Sequence, residues 1–292
     1  MGTPRVARER SACILFEHAS VHGLYVAEQP LLAAHAANQS TCLVADFGSD
    51  CVDICPVVDG RALHFHGRRL RHSAGLSATR ALSSEMGLSL ADAERAKLQA
   101  GISVTSRGVK RQSLLAPTTA ASTGDPMQTH HNHHHGTHAQ PEQKGVAPAN
   151  DAPTVTLPDG QQLSVPADIS RTCGDAMMDS SPSPGEEATA VVNSAPTESR
   201  SQLCENVLAT GGCAGAHGLQ DRLVEDMQEL LPPNSRRTEG VQGAEYMPFG
   251  WQQNASWLGG AILAKVVFSQ NMHCSKFDYA EMGPSAIWRK QH

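Results

Sequence analysis

The chain is expected to fold as an α/β protein, and two observations carry that expectation. Over the first hundred residues, short apolar runs with strand character alternate with segments whose apolar residues fall at helical spacing. Near the other end, the apolar run Val207-Leu208-Ala209-Thr210 enters the glycine-rich bend Gly211-Gly212-Cys213-Ala214-Gly215-Ala216-His217-Gly218 and then the amphipathic stretch Leu219 to Leu231. A strand-to-helix bend of this kind turns backbone N–H groups and a helix N-terminus toward one point, which suits phosphate. It also permits close helix-to-strand packing with no ligand, and for Gly211-Gly212 and Gly259-Gly260 that second reading is preferred.

The elements follow in order. Leu24, Ala27, Leu31 and Ala34 predict an amphipathic helix, with Pro30 placed to kink it. Thr41 to Asp46 predicts a buried strand, Phe47-Gly48-Ser49 turns the chain, and Val52, Ile54, Pro56 and Val58 alternate along a second strand. Asp59-Gly60 is a two-residue hairpin signal leading into Ala62-Leu63-His64-Phe65. Ser89 at an N-cap and Asp92 at the capping-box position open a last helix of this block, residues 1–101. Residues 102–153 lose periodicity and gain Ser, Pro and His, and 170–200 do the same around Pro182, Pro184 and Pro196. Both are expected to be disordered, because neither buries enough apolar area to offset ordering entropy. Between them, 154–169 predicts an isolated hairpin around Pro158-Asp159-Gly160. Residues 201–292 form the last block, in which Leu219, Leu223, Met227 and Leu230 make a stripe read as core.

Composition narrows the function. Hydrophobic residues are 40% and aromatics 4% of 292 residues, so the core should be small for the length. The formal net charge of −6 argues against attraction to nucleic acid or acidic membranes. Arg68-Arg69-Leu70-Arg71 is read as a solvated rim rather than a phosphate grip. No apolar run is long enough to span a bilayer, and Met1 to Ser11 lacks the apolar core of a secretory signal. The eight cysteines are therefore read as thiols. Cys51 and Cys55 lack a second ligand pair and are expected to pack. The tract His130-His131-Asn132-His133-His134-His135 with His138 could capture zinc or nickel, but low-complexity drift is the preferred account.

Several ordered motifs resemble actin and its relatives. Ala209 to Leu219 is similar to actin's Leu-Ser-Gly-Gly, short loop and Gly-Phe. Trp257 to Ala264 resembles Trp-Ile-Gly-Gly-Ser-Ile-Leu-Ala, and Gly283 to Lys290 resembles Gly-Pro-Ser-Ile-Val-His-Arg-Lys. Leu15-Phe16-Glu17 with Leu24 to Gln29 resembles Met-Phe-Glu-Thr followed by Met-Tyr-Val-Ala-Ile-Gln. Glu245-Tyr246-Met247-Pro248, Gly259 to Phe268 and Leu157 to Gln161 resemble a plant class of actin-related proteins more narrowly. The resemblance covers roughly residues 13–101, 154–165 and 202–290. It implies the ribonuclease H-like fold of the actin, sugar-kinase and heat-shock ATPase superfamily, here incomplete and interrupted by disordered insertions.

The same resemblance identifies a degenerate nucleotide cleft. Actins hold ATP between two hairpin loops, and the first, with its phosphate-binding Lys, has no counterpart in these residues. The second survives as Asp46-Phe47-Gly48-Ser49-Asp50, with Asp50 where actin has Gly and Asp53 where it has His. A carboxylate at such a place repels phosphate. Gln29 matches the water-positioning glutamine, while Gln253 stands where a purine-contacting Lys would be. Asp46, Gly48, Gly211 and Gly212 are thus the candidate cofactor residues, with ATP possible but doubtful, no resident cofactor expected and catalysis not expected. Nuclear relatives imply an interaction subunit of a chromatin-remodelling complex, partnered by the motor ATPase and a second actin-like protein, with no direct nucleic-acid or membrane contact. The cleft between the lower lobes of actin folds accepts amphipathic helices. Met282, Ile287 and Trp288 are the candidate partner contacts, with ordinary packing as the alternative. The expected location is the nucleus, alternatively the cytoplasm. A nucleotide-binding cytoskeletal actin and a truncated gene product, its homology starting abruptly at Cys13, are the other readings.

Overall fold

The computed structural model describes residues 3–108, 152–232, 237–245 and 247–289. In chain order the first block contains α1 (Arg5–Cys13), β1 (Gly23–Leu24), α2 (Gln29–Ala36), β2 (Cys42–Phe47), β3 (Val52–Val58), β4 (Arg61–Ala62), β5 (Arg68–Leu70), α3 (Gly75–Met86) and α4 (Leu90–Ala100). Then follow β6 (Thr154–Thr156), β7 (Gln162–Ser164), α5 (Ala167–Met178), α6 (Pro184–Ser194), α7 (Arg200–Glu205) and β8 (Val207–Thr210). The chain continues through α8 (Leu219–Leu230), α9 (Ala255–Ser269), β9 (Cys274–Ser275) and α10 (Lys276–Met282).

A five-stranded mixed sheet forms the centre, in the order β4-β3-β2-β8 with β5 also on β3. β2 runs antiparallel to β3 and parallel to β8, which sets Leu43 opposite Val207 and Asp46 opposite Thr210. The period of two decides what each face meets. Leu43, Ala45, Phe47, Val207 and Ala209 enter the main core with Leu82 of α3, Val191 of α6 and Leu223 of α8. Cys42, Val44 and Leu208 enter a second core with Ala33 and Ala34 of α2 and Ala255 of α9. Gly259 makes the α2–α9 approach possible, because a Cβ there would overlap the Leu32 carbonyl. The Asp59-Gly60 turn joins β3 to β4 with both residues at positive φ, 49° and 71°, the geometry a two-residue hairpin requires.

The two ends of the chain make a third unit. β1 pairs antiparallel with β9, and Ala12 and Phe16 pack against Ala286 and Ile287. Trp288 lies beneath the guanidinium groups of Arg5 and Arg8, 5.4 and 5.7 Å from its ring, and its Nε1 donates to Glu9 at 2.8 Å.

Several sequence expectations need correction. Residues 170–200, expected to be disordered, carry most of α5 and all of α6, with Cys173, Met177, Met178, Ala188, Val191 and Val192 buried. Pro184 occupies the first turn of α6, where proline costs no hydrogen bond, and Ser183 with Glu186 closes a capping box. The hairpin β6–β7 is not isolated: Val155, Leu157 and Val165 join the main core. Within the expected insertion 102–153, the stretch before residue 109 is ordered, since Val104 N–H donates to His217 O and His217 N–H to Ile102 O. Residues 109–151, including the histidine tract, lie outside the described residues. Residues 24–28 are not helical, and Pro30 sits at the start of α2 rather than kinking it.

One buried ionic cluster ties three distant segments together. Arg222 on α8 is 1% exposed. Its Nε donates to Asp226 at 2.8 Å, one terminal nitrogen to Asp179 at 2.6 Å and the other to Thr105 O at 3.0 Å. Asp226 also accepts from Arg107 Nε at 2.6 Å. Removing one partner of such a set leaves buried charge uncompensated. Arg222→Ala is therefore expected to lower unfolding stability by about 3–5 kcal/mol, read from urea denaturation; a loss below about 1 kcal/mol would contradict the assignment.

Candidate functional site

Parallel pairing of β2 and β8 brings two loops to the same edge of the sheet, where α/β proteins form crevices. Asp46 ends one strand and Gly211 follows the other. Gly211 has φ +93°, and a Cβ there would overlap Asp46 Oδ1 and stand 2.7 Å from Phe47 O, so only glycine fits. Gln29, at the first position of α2, donates to Asp46 Oδ2. Asp46, Gly48 and Gly211 are thus brought together, with Gly212 beside them in open space.

Several donors beside the cleft are already in use. Gly48 N–H donates to Cys51 O at 3.0 Å, and Gly211 N–H to Gln252 O at 3.3 Å. The first amides of α3 answer to the loop itself, Gly75 N–H to Gly48 O at 2.9 Å and Leu76 N–H to Ser49 O at 2.8 Å. Lys97 is 7% exposed and equally committed, its Nζ bonding Gly75 O at 3.1 Å, Thr79 Oγ1 at 2.9 Å and Glu94 at 2.7 Å. The Cys213 thiol donates to Gly48 O at 3.6 Å. What the strands present instead is acid. Asp46 stands in register with Asp53, and burial first, then the Asp53 charge, hold its carboxyl above the usual range. Burial acts to raise the carboxyl of Asp53, but the two-pronged bond from Arg69, at 2.6 and 2.5 Å, together with neighbouring positive charge holds it low.

A hollow of about 480 Å³ beside the bend is lined by His217, Asp221, Met247, Phe249 and Trp251 among others. Gln253 fills its inner end, where a Cβ on Gly215 would overlap the Gln253 amide. The amides of Gly48, Gly75 and Gly211 thus face protein carbonyls, and Lys97 is held within the protein. No group of three metal-ligating side chains occurs among the described residues. Cys55 is buried and its thiol is pushed up to about 11, mainly by burial, as suits a packed sulfur.

The expected partner residues divide. Ile287 is 3% exposed within the third core, and Trp288 is half-buried beneath Arg5 and Arg8 of α1. Met282 alone of the three is exposed. A better-formed surface lies elsewhere. A groove of about 620 Å³ runs over α2 and α9, walled by Leu31, His35 and Leu263, with Tyr25 and Val26 at one end and Arg8 and Arg61 at its rim. Glu28 is fixed at its side by Arg8 at 3.0 Å and His64 at 2.5 Å; burial opposes its ionisation, but these partners hold its carboxyl low. Beyond Leu263, Trp257, Ile262, Val266 and Phe268 of α9 face outward. The sequence signal for this surface was the all-round apolar character of Trp257 to Phe268, which a helix covered on one side alone does not need.

The Asp46 environment has a measurable sign. A carboxyl whose folded pKa is raised destabilises the fold once pH exceeds its unfolded value. Asp46→Asn is therefore expected to melt higher than the parent near neutral pH, the gap closing as pH falls below the ordinary carboxylate range. A gap independent of pH in thermal melts would contradict this.

Comparison with known proteins places this geometry in context. The family model for actin matches residues 1–292. The chain is similar to Actin-related protein 7 of Arabidopsis thaliana, at 29% identity with 99% of this chain and 72% of the relative covered. It is 30% identical to Actin-related protein 7 of Oryza sativa subsp. indica, covering 99% and 73% of the two chains. Actin-related protein 4 of Arabidopsis thaliana is 26% identical, with 97% and 68% covered. With the match extending over the full chain, the protein belongs to the actin family.

Proposed function

We propose that this chain is a non-catalytic actin-related protein that serves as an interaction subunit of a nuclear chromatin-remodelling complex. On this reading it sits on a helix of the motor ATPase subunit beside a second actin-like protein. The groove over α2 and α9 carries the proposal. It offers an apolar wall at Leu31 and Leu263, continued by outward-facing Ile262 and Val266, the surface an amphipathic helix needs for its apolar stripe. Arg61, which lines it beside the Arg8–Glu28 pair, suits a helix with an acidic flank.

The actin fold is an ATPase-type fold, and phosphoryl transfer in such folds rests on positioned cations and backbone donors. Here Lys97 and the amides of Gly48, Gly75 and Gly211 are spent within the protein, which supports scaffolding rather than turnover. The similarity to actin-related proteins supports the same reading, and no described helix is long and apolar enough to cross a membrane.

Two outcomes follow. Leu263→Asp is expected to weaken capture of the remodelling motor's actin-binding helix by at least about 2 kcal/mol, or some thirtyfold, with the fold intact by circular dichroism. Capture unchanged by that substitution would remove the groove from the proposal. Magnesium ATP is expected to leave the melting temperature of the purified chain unmoved, whereas a ligand at about 100 times its Kd adds about 2.7 kcal/mol. A clear upward shift, or nucleotide-dependent polymerisation, would favour a cytoskeletal role instead.

A further inference from the structure

The basic run Arg68-Arg69-Leu70-Arg71-His72, a solvated rim in the sequence, plays no part in the groove or the cleft. It borders a hollow of about 280 Å³ whose apolar floor is Leu70, 6% exposed, against Pro182 of the α5–α6 loop. The cations around it differ in their commitments. Arg69 is spent on Asp53 through both prongs, and Arg68 stands 3.5 Å from Glu187. Arg71 and His72 are exposed, and neither has an acidic partner among the described residues. The strand itself is half used. β5 pairs with β3 along one edge, Leu70 opposite Val52 and Arg68 opposite Ile54, and its other edge has no strand partner among the described residues.

We propose that β5 is a docking edge for an extended acidic peptide segment of a partner protein. The peptide would add to the free edge by main-chain hydrogen bonds, place an apolar side chain over Leu70 and Pro182, and set carboxylates against Arg71 and His72. Free phosphate could use the cations but not the strand edge or the apolar floor. A nucleic-acid backbone would meet a chain of net charge −6 with two of the three nearby arginines already answered by Asp53 and Glu187. The chemistry on offer is therefore that of a short segment alternating acidic and apolar residues.

Fluorescence anisotropy of a labelled glutamate–valine alternating hexapeptide tests this on the full chain. Saturable binding is expected, weakening as salt rises. Arg71→Glu should weaken it about tenfold or more, while Glu187→Gln, which frees Arg68, should tighten it. Lys265→Glu on α9 should leave it unchanged. The proposal is overturned by an absence of saturable binding, by equal binding to the Arg71→Glu protein, by equal binding of a lysine–valine hexapeptide, or by displacement with polyuridylate or inorganic phosphate at concentrations where the acidic peptide is not displaced by its lysine counterpart. Motor-helix capture by the Arg71→Glu protein should stay intact, so failure here is distinguishable from failure of the α2–α9 groove.

Discussion

The parallel contact between β2 and β8 joins residues separated by about 160 positions, and most of the functional geometry descends from it. Four register pairs, from Leu43–Val207 to Asp46–Thr210, align the ends of the two strands. That alignment presses Gly211 against Asp46 so closely that no side chain fits at position 211. The same pairing fixes what lies on each face, because alternate residues of both strands point the same way. Leu43, Ala45 and Ala209 anchor the helices of one layer, while Val44 and Leu208 anchor α2 and α9 on the other. A register slip of one residue would exchange the two faces and dissolve both cores.

The outer layer needs a second device, since its segments come from well-separated parts of the chain. Buried Arg222 gathers Thr105, Asp179 and the buried Asp226, and Arg107 adds a second cation to Asp226. Burial alone would weaken the guanidinium's hold on its proton, but the bonds to Asp226 and Asp179 outweigh it and keep the charge in place. Buried ion sets gain little net free energy over apolar packing, yet they penalise wrong arrangements severely. Here the arrangement selected sets α8 against Gly185 of α6, where a Cβ would overlap Asp226, and holds the 105–107 stretch across the C-terminal end of α5.

Local chemistry made some of this legible in the sequence. Asp59-Gly60 turns as a left-handed pair, and Ser89 accepts from Asp92 N–H at 3.1 Å, because both outcomes depend on neighbours only a few residues away. Proline was misread where its position mattered more than its presence: Pro30 and Pro184 begin helices that a breaker would have ended. The stretch 170–200 concealed its core because Ala, Cys, Gly and Met carry much of the buried face, with Val191 and Val192 its only aliphatic branched members. The glycines and Asp46 of the cleft were visible as a motif, but the use of their amides was not, since the accepting carbonyls come from Cys51 and Gln252. The packing of Trp288 was not legible either, because Glu9, which accepts its indole N–H, lies 279 positions away.

The cleft and the groove are two consequences of one sheet. In a nucleotide-dependent fold, loops on opposite sides of a crevice are held in place by what they jointly grip. Here the Cys213 thiol on Gly48 O joins the two loops, while Gly75 N–H on Gly48 O and Gly211 N–H on Gln252 O brace each of them within the protein. Gln252 directly precedes the helix whose outward face carries Trp257, Ile262 and Leu263, so the hydrogen bonds that close the cleft also set where α9 begins. Gly259 against Leu32 then fixes its distance from α2. The shape of the groove is thereby determined by backbone contacts present in the protein alone. The contacts that shape the bend beside the cleft and the packing of α9 on α2 thus belong to one continuous set.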